Sequence, residues 1–270
     1  MALCAGIGGL ELGLEITLPE YRCVCYVERE AYPAAVLVSR MAEGALDEAP
    51  IWDDLETFDG RPWRGIVDII SAGFPCQPWS TAGEQKGTDD DRWLWPAIAR
   101  ILRHVRPRYI FLENVPNLVN GGPDPILCDL AGLGYDATWD VFSAFSVGAP
   151  HIRKRLFLLA HADGGRLPRE NLHVRKGGQE QDQIDAPRCG QNVANPNSKG
   201  LLPSGAIGSE TPFPFPKSPG EGCEWWLSEP DMGRVADGVA HKVDRIRAIG
   251  NAVVPGVAAV AFRVLESRFR

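Results

Sequence analysis

Several features are missing from this 270-residue chain, and each absence narrows the reading. There is no run of 18 or more apolar residues, and no basic stretch followed by an apolar core at the amino terminus, so neither a membrane span nor a secretory leader is expected. The seven cysteines (Cys4, Cys23, Cys25, Cys76, Cys128, Cys189, Cys223) are odd in number and scattered, with no C-x-x-C pair for zinc. They read as reduced thiols of a cytoplasmic protein, and without a Cys/His cluster no metal is expected. Positive charge is also short, at 28 Lys/Arg against 35 Asp/Glu, a net of −7. The protein is therefore not a polycation that coats nucleic acid, and any anion must be bound locally. No repeat of fixed period is visible.

What is present is the composition of a globular fold with a sizeable core: 44% apolar and 23% charged residues, enough for one large domain or one domain plus a smaller one. The acidity is concentrated at the front, where residues 1–60 hold twelve Asp/Glu and three Arg. Residues 161–230 hold nine Pro and ten Gly, which predicts a loop-rich region. Before it, short β-branched or aromatic runs alternate with amphipathic stretches, the pattern of β-α units around a mostly parallel sheet. Strands are predicted at Cys23 to Val27, Ile66 to Ser71, Tyr109 to Leu112 and Arg155 to Ala160. A helix is predicted over Trp93 to Val105, with Trp93, Ala97, Ile101 and Val105 on one face and Pro96 confined to the first turn. Val253 to Phe269 reads as a final helix after a Gly-Asn turn.

Four features carry chemistry. The first is Ala5-Gly6-Ile7-Gly8-Gly9, a glycine-rich turn leading into a helical pattern, where backbone can approach a ligand closely at a helix N-terminus. It is not the dinucleotide fingerprint, because Glu11 stands where the third glycine belongs. Glu28 ends the next strand, where a carboxylate can accept from ribose hydroxyls, so turn and acid together suggest a nucleoside-bearing cofactor. A glycine-rich turn alone is more often a plain tight turn. The second feature is Gly73-Phe74-Pro75-Cys76-Gln77-Pro78, which follows a buried strand and places one thiol on a proline-stiffened loop at the strand's carboxyl end, where ligands bind in open α/β sheets. A lone cysteine is more often structural, but that fate does not account for the two bracketing prolines. Third, Phe111-Leu112-Glu113-Asn114 is an apolar strand ending in a carboxylate able to protonate or hydrogen-bond a substrate nitrogen. Fourth, His151-Ile152-Arg153-Lys154-Arg155 opens a strand whose alternation sends Arg153 and Arg155 to one face, suited to an anionic or carbonyl-bearing group.

In this order the motifs CAGIGGLELG, YVERE, GFPCQPWS, FLENV and HIRKR, with RIRAIGNAVVPGVA near the carboxyl terminus, closely resemble the DNA (cytosine-5) methyltransferase family. The match covers roughly residues 1–160 and 232–262. The resemblance implies a Rossmann-like α/β sheet using S-adenosylmethionine, with a catalytic and cofactor-binding domain over 1–160, a target-recognition region over 161–231 and a returning segment over 232–270. It implies that the Cys76 thiolate adds to C6 of a flipped-out cytosine, making C5 nucleophilic. Glu113 would hold or protonate N3, and Arg155, with Arg153 behind it, would contact the base carbonyl and a neighbouring phosphate. Cofactor contacts carry to Cys4, Gly6, Ile7, Gly8, Glu28, Asp54 (with Asp53 its rival), Pro75, Leu94, Asn251, Ala252 and Val253. The last helix would fold back beside the first strand, so that both ends of the chain build one site.

The chain departs from the family pattern in a first strand reduced to Met1, Ala2 and Leu3, in Cys4 where Phe is common, and in His151 where Gln is usual. The implied partner is double-stranded DNA, bound by a monomer, with a cognate restriction endonuclease compatible. Arg166, Arg169, Arg175, Lys176 and Arg188 are candidates for phosphate or guanine contacts, and Asn192, Asn195 and Asn197 for adenine. The alternatives are an RNA cytosine-5 methyltransferase of the same fold and a non-catalytic DNA-binding remnant.

Overall fold

The computed structural model describes residues 1–75, 93–120, 123–162 and 242–269. Seven strands form one sheet: β1 (Ala2–Leu3), β2 (Tyr26–Val27), β3 (Ile51–Trp52), β4 (Ile69–Ala72), β5 (Tyr109–Asn114), β6 (Tyr135–Ser143) and β7 (Lys154–Ala162), in the spatial order β3-β2-β1-β4-β5-β7-β6. The first five are parallel, and β7 and β6 close one side as an antiparallel pair. The helices are α1 (Gly9–Thr17), α2 (Ala31–Ala42), α3 (Trp95–Val105), α4 (Pro123–Gly132), α5 (Lys242–Asn251) and α6 (Pro255–Glu266).

Alternation along the central strands divides the core in two. Ile110 and Leu112 of β5, with Leu156 and Leu158 of β7, pack with α3 and α4 on one face. Phe111, Phe157 and Leu159 point the other way, onto α1 and α6. There Phe111 stacks on Phe157 at 5.6 Å and meets Phe262 edge-on at 5.4 Å. The helix read from Trp93 begins at Trp95, and its predicted face holds for Ala97, Ile101 and Val105, all buried; Trp93 is buried just before it, and Pro96 lies in the first turn, where its missing N–H costs no hydrogen bond.

Strand limits differ from the sequence expectation for local reasons. The strand read from Cys23 shortens to Tyr26–Val27, the Cys23 N–H donating instead to the Asp47 carboxylate at 2.7 Å. The strand read from Ile66 begins at Ile69, because the N–H groups of Ile66 and Val67 turn back onto the Trp63 carbonyl. At the other end β5 runs on to Asn114, its last residues pairing with Phe157 and Leu156. The residues read as a Gly-Asn turn are the end of α5, and the final helix begins at Pro255. The 161–231 region expected to be loop-rich lies outside the described residues from 163 onward.

Residues 243–269 are apolar and helical enough over their length to suggest a span. However, the helix is interrupted at 252–254, and α6 buries Ala258, Ala261, Phe262 and Leu265, as a core helix does. α6 approaches α1 closely because α1 presents glycine at positions 9 and 13, one turn apart on one face. A Cβ on Gly9 would sit 2.5 Å from the Val253 carbonyl oxygen, and one on Gly13 would sit 2.6 Å from Ala258 Cβ and 2.8 Å from the Pro255 oxygen. Thr17 fastens the far end, its hydroxyl donating to the Ala259 carbonyl at 3.3 Å.

Gly13→Ala separates two opposing effects. Helix propensity alone would stabilise the variant by about 1 kcal/mol. The clash with α6 backbone should outweigh this and cost about 1–3 kcal/mol net, read as a lower urea midpoint. A midpoint at or above the parent's would show that the two helices are free to separate.

Candidate active site

The parallel register places the ends of the strands in one row. Leu3 pairs with Val27 and with Ala72, Val27 pairs with Trp52, and Ala72 pairs with Leu112. The residues that follow, Asp53, Glu28, Cys4, Gly73 and Glu113, therefore stand side by side along the carboxyl edge. β7 enters antiparallel beside β5, which brings Arg155 and Arg153 to the same edge. Chain order reverses between β1 and β4, so the row spans the switch point at which open α/β sheets bind ligands. At one strand spacing per step, Glu28 and Glu113 are roughly 14 Å apart, the scale of a nucleoside beside a base.

On the β1–β2 side the turn winds through left-handed backbone: φ is 51° at Cys4, 57° at Gly6 and 82° at Gly8. Such a turn gathers N–H groups toward an acceptor, and here the acceptor is Glu28. Its Oε2 takes the Gly6 N–H at 2.7 Å and its Oε1 the Glu30 N–H at 2.8 Å. Glu28 is buried, and burial raises its carboxyl pKa against the pull of those backbone donors. Arg40 of α2 holds the turn from behind by donating to the Ile7 carbonyl. No described atom lies within 4 Å of a Cβ built on Gly6, so there is open space above the turn. A cradle of backbone with a carboxylate beside it fits the ribose and methionine parts of S-adenosylmethionine. Burial first, and then Glu28, push the Cys4 thiol up to about 12, so it stays protonated and is no rival nucleophile.

The other predicted pocket residues take varied places. Asp54 follows β3 as expected, but its Oδ1 is engaged by the Glu56 N–H at 2.9 Å in a local turn. Pro75 is exposed just past β4, and Leu94 caps α3 half-buried. Asn251 is exposed at the end of α5, with Ala252 and Val253 half-buried after it. Val253 is the contact point, packed on Gly9 at the start of α1.

On the β4–β5 side Glu113 is 6% exposed and Arg155 Nε lies 2.9 Å from its Oε1. The N–H is not aimed along that line, so the contact is an ion pair rather than an aligned hydrogen bond. Burial raises the Glu113 carboxyl to about 7, and Arg155 and then Arg153 pull in the opposite direction. Behind it lies an apolar cavity of about 20 Å³, lined by Phe74, Leu112, Leu118 and Trp139, with room for one water. Glu113 Oε2 would lie 3.5 Å from a Cβ on Gly73. The acid thus overhangs the segment leading to Cys76, which itself lies outside the described residues.

Sequence reasoning quoted Asn114 in a motif without giving it a role. It is buried, its Nδ2 donates to the Phe74 carbonyl at 3.2 Å, and its Oδ1 accepts the Val115 N–H at 2.8 Å. It therefore fixes the chain two residues before Cys76. Arg40 left no sequence signal at all. Arg153, expected on the base side, turns its Nη2 to the carbonyls of Gly250 and Ala252, at 2.7 and 2.6 Å.

The family model for C-5 cytosine-specific DNA methylases matches residues 1–193. The type II methyltransferase M.NgoMIV of Neisseria gonorrhoeae is 33% identical over 168 residues, 59% of this chain and 50% of the relative. M.AluI of Cellulosimicrobium cellulans is 32% identical over 259 residues, 90% of this chain and 47% of the relative. The chain thus spans about half the length of these curated relatives. Among solved structures, a Spodoptera frugiperda DNMT2 variant superposes with a TM-score of 0.50 at 20% identity, over 64% of this chain and 53% of that one. The Entamoeba histolytica methyltransferase EhMeth gives 0.50 at 19%, over 60% and 52%. These likenesses establish the Rossmann-like methyltransferase fold.

Glu113 should leave a signature in stability. The unfolded chain ionises this side chain near its ordinary 4.5 and the folded chain only near about 7, so between those values the native state binds more protons. The stabilising share is complete below 4.5 and disappears as pH climbs through about 7. Glu113→Gln should flatten the fall in urea midpoint across that window. A profile superimposable on the parent's would mean that Glu113 titrates as an ordinary carboxyl.

Proposed function

The chain belongs to the C-5 cytosine-specific DNA methylase family, and from that premise we propose that it methylates C5 of a flipped-out cytosine in double-stranded DNA, using S-adenosylmethionine. The observation that carries the reading is Glu113: a buried carboxyl with a pKa near about 7, ion-paired to Arg155 and overhanging the segment that leads to Cys76. A carboxyl that is still partly protonated at neutral pH can donate a proton, which an ordinary glutamate there cannot.

The division of labour follows from the row of residues. The Cys76 sulfur, as thiolate, forms a bond to C6 and pushes electron density toward C5, N3 and the ring carbonyl. Glu113 donates to N3, so the ring becomes a neutral enamine instead of an anion. Arg155 donates to the ring carbonyl, and its charge favours both the thiolate and the electron-rich ring. Asn114 ties Phe74, in the segment leading to Cys76, to the strand that carries this acid. When bound, S-adenosylmethionine supplies the electrophilic methyl group. Gly6, Ile7, Gly8 and Glu28 would hold its methionine and ribose portions, and Asp53 or Asp54 would face the adenine. Cys4, Pro75, Leu94, Asn251, Ala252 and Val253 would complete the walls. Residues 161–231 would read the DNA sequence. The family's description as DNA methylases supports DNA over RNA as substrate, and a cognate restriction endonuclease is compatible with that reading.

A duplex carrying 5-fluorocytosine at the target tests the reading, because fluorine cannot leave C5 as a proton does and the adduct is trapped. The chain with labelled cofactor should form that adduct and methylate DNA. Cys76→Ser should lose the adduct and slow transfer by orders of magnitude, because an alkoxide is far harder to form than a thiolate. Adduct formation by Cys76→Ser at the parent rate would overturn the mechanism, and labelling of transfer RNA in place of DNA would overturn the substrate.

A further inference from the structure

Arg153 occupies a position from which it could serve either half of the site. Its backbone is fixed by the Ala144 N–H, which donates to the Arg153 carbonyl at 3.0 Å just before β7 begins. The nearby acid, Glu113, pairs with Arg155 instead. The Arg153 head reaches across to a segment 97 and 99 residues away in sequence, where Nη2 donates to the carbonyls of Gly250 and Ala252. These are carbonyls at the end of α5, the groups a helix leaves without internal partners and the end where its dipole attracts a cation. The two contacts bracket Asn251.

The helix that ends in this segment buries little of its own apolar surface. Val243, Ile246 and Ile249 of α5 are 76%, 55% and 66% exposed, and Ala248 is the buried apolar side chain of that helix. Arg247 of this helix forms an exposed ion pair with Glu30, at 2.7 Å, and Val253 after it is seated on Gly9. A surface ion pair of that kind adds little. Two charge-assisted hydrogen bonds from a half-buried arginine are the stronger restraint. Asn251, Ala252 and Val253 are also the residues that would finish the cofactor pocket. Glu30, on which Arg247 rests, donates its N–H to Glu28.

We propose that Arg153 is a positioning residue of the cofactor pocket: it caps the end of α5 and latches Asn251 to Val253 against the start of α1, leaving the base to Arg155. The inference rests on the reading of the glycine-rich turn and Glu28 as the S-adenosylmethionine site. It assigns the two arginines of one motif to different ligands. Arg155 faces the acid and the base, and Arg153 acts on the cofactor through three residues near the other end of the chain.

The test is calorimetric titration of the whole chain with S-adenosylmethionine in the absence of DNA, paired with amide hydrogen exchange at residues 250–254 in the unliganded chain. Arg153→Ala should raise the dissociation constant at least about tenfold, the worth of a lost charge-assisted hydrogen bond, and should speed exchange in that segment. Arg153→Met keeps the packing of the side-chain stem and should lose as much, and Arg153→Lys should recover part of the loss. Parent affinity and parent exchange in Arg153→Ala or Arg153→Met, with Glu28→Ala clearly weakened, would overturn the latch. If Glu28→Ala also binds as the parent does, the pocket reading fails, and the exchange measurement alone decides whether Arg153 holds the segment.

Discussion

Ala2 and Leu3 form a strand of two residues inside the sheet, between β2 and β4, and the candidate site is indexed from them. Leu3 is paired on one side with Val27 and on the other with Ala72. These ladders bring the glycine-rich turn, Glu28 and the approach to Cys76 to one edge. The Ser71 N–H adds a further bond to the Met1 carbonyl at 3.0 Å. A one-residue slip in either ladder would move Glu28 or Gly73 along the row and reverse the face of each side chain on the strand. This strand is short but cannot slip easily, because Ala2 and Leu3 are buried on opposite faces of the sheet, in separate cores.

Three buried carboxyl groups lie near this part of the sheet, and the fold treats each differently. Glu28 receives two backbone N–H groups, which support its charge and fix the turn it serves. Glu113 sits against an apolar wall whose burial raises its pKa to about 7, against the opposing pull of Arg155 at 2.9 Å. Glu11, 1% exposed, accepts the Ser71 hydroxyl at 2.7 Å and is pushed toward the neutral form by burial. The same side chain thus meets three different electrostatic settings. The difference lies in whether backbone donors, a cation or a single hydroxyl offsets desolvation.

The two ends of the described chain meet because α1 carries glycine where the backbone around α6 comes nearest. Gly9 and Gly13 let the Val253 and Pro255 carbonyls approach to distances that a methyl group would forbid. That contact sets where α6 begins, and so where Asn251 to Val253 stand. Arg153 then ties the same segment to the strand that carries Arg155. The segment at 250–253 is consequently tied to α1 by packing and to the start of β7 by hydrogen bonds.

The sequence by itself determined the ends of the strands that carry chemistry. Glycines at the turn and an acid after an apolar run are local signals, each imposed by backbone conformation or by the need to present a side chain. The face of α3 was legible for the same reason, since periodicity is written in adjacent residues. Only the tertiary structure decided where Arg40, Asn114 and Arg153 point. Each of them donates to a backbone carbonyl, of Ile7, of Phe74, and of Gly250 and Ala252, and a carbonyl leaves no mark in the choice of residue. The raised pKa of Glu113 was likewise hidden, because it follows from the burial of that carboxyl in the folded chain. A sequence shows which groups can be charged, and burial decides which of them are.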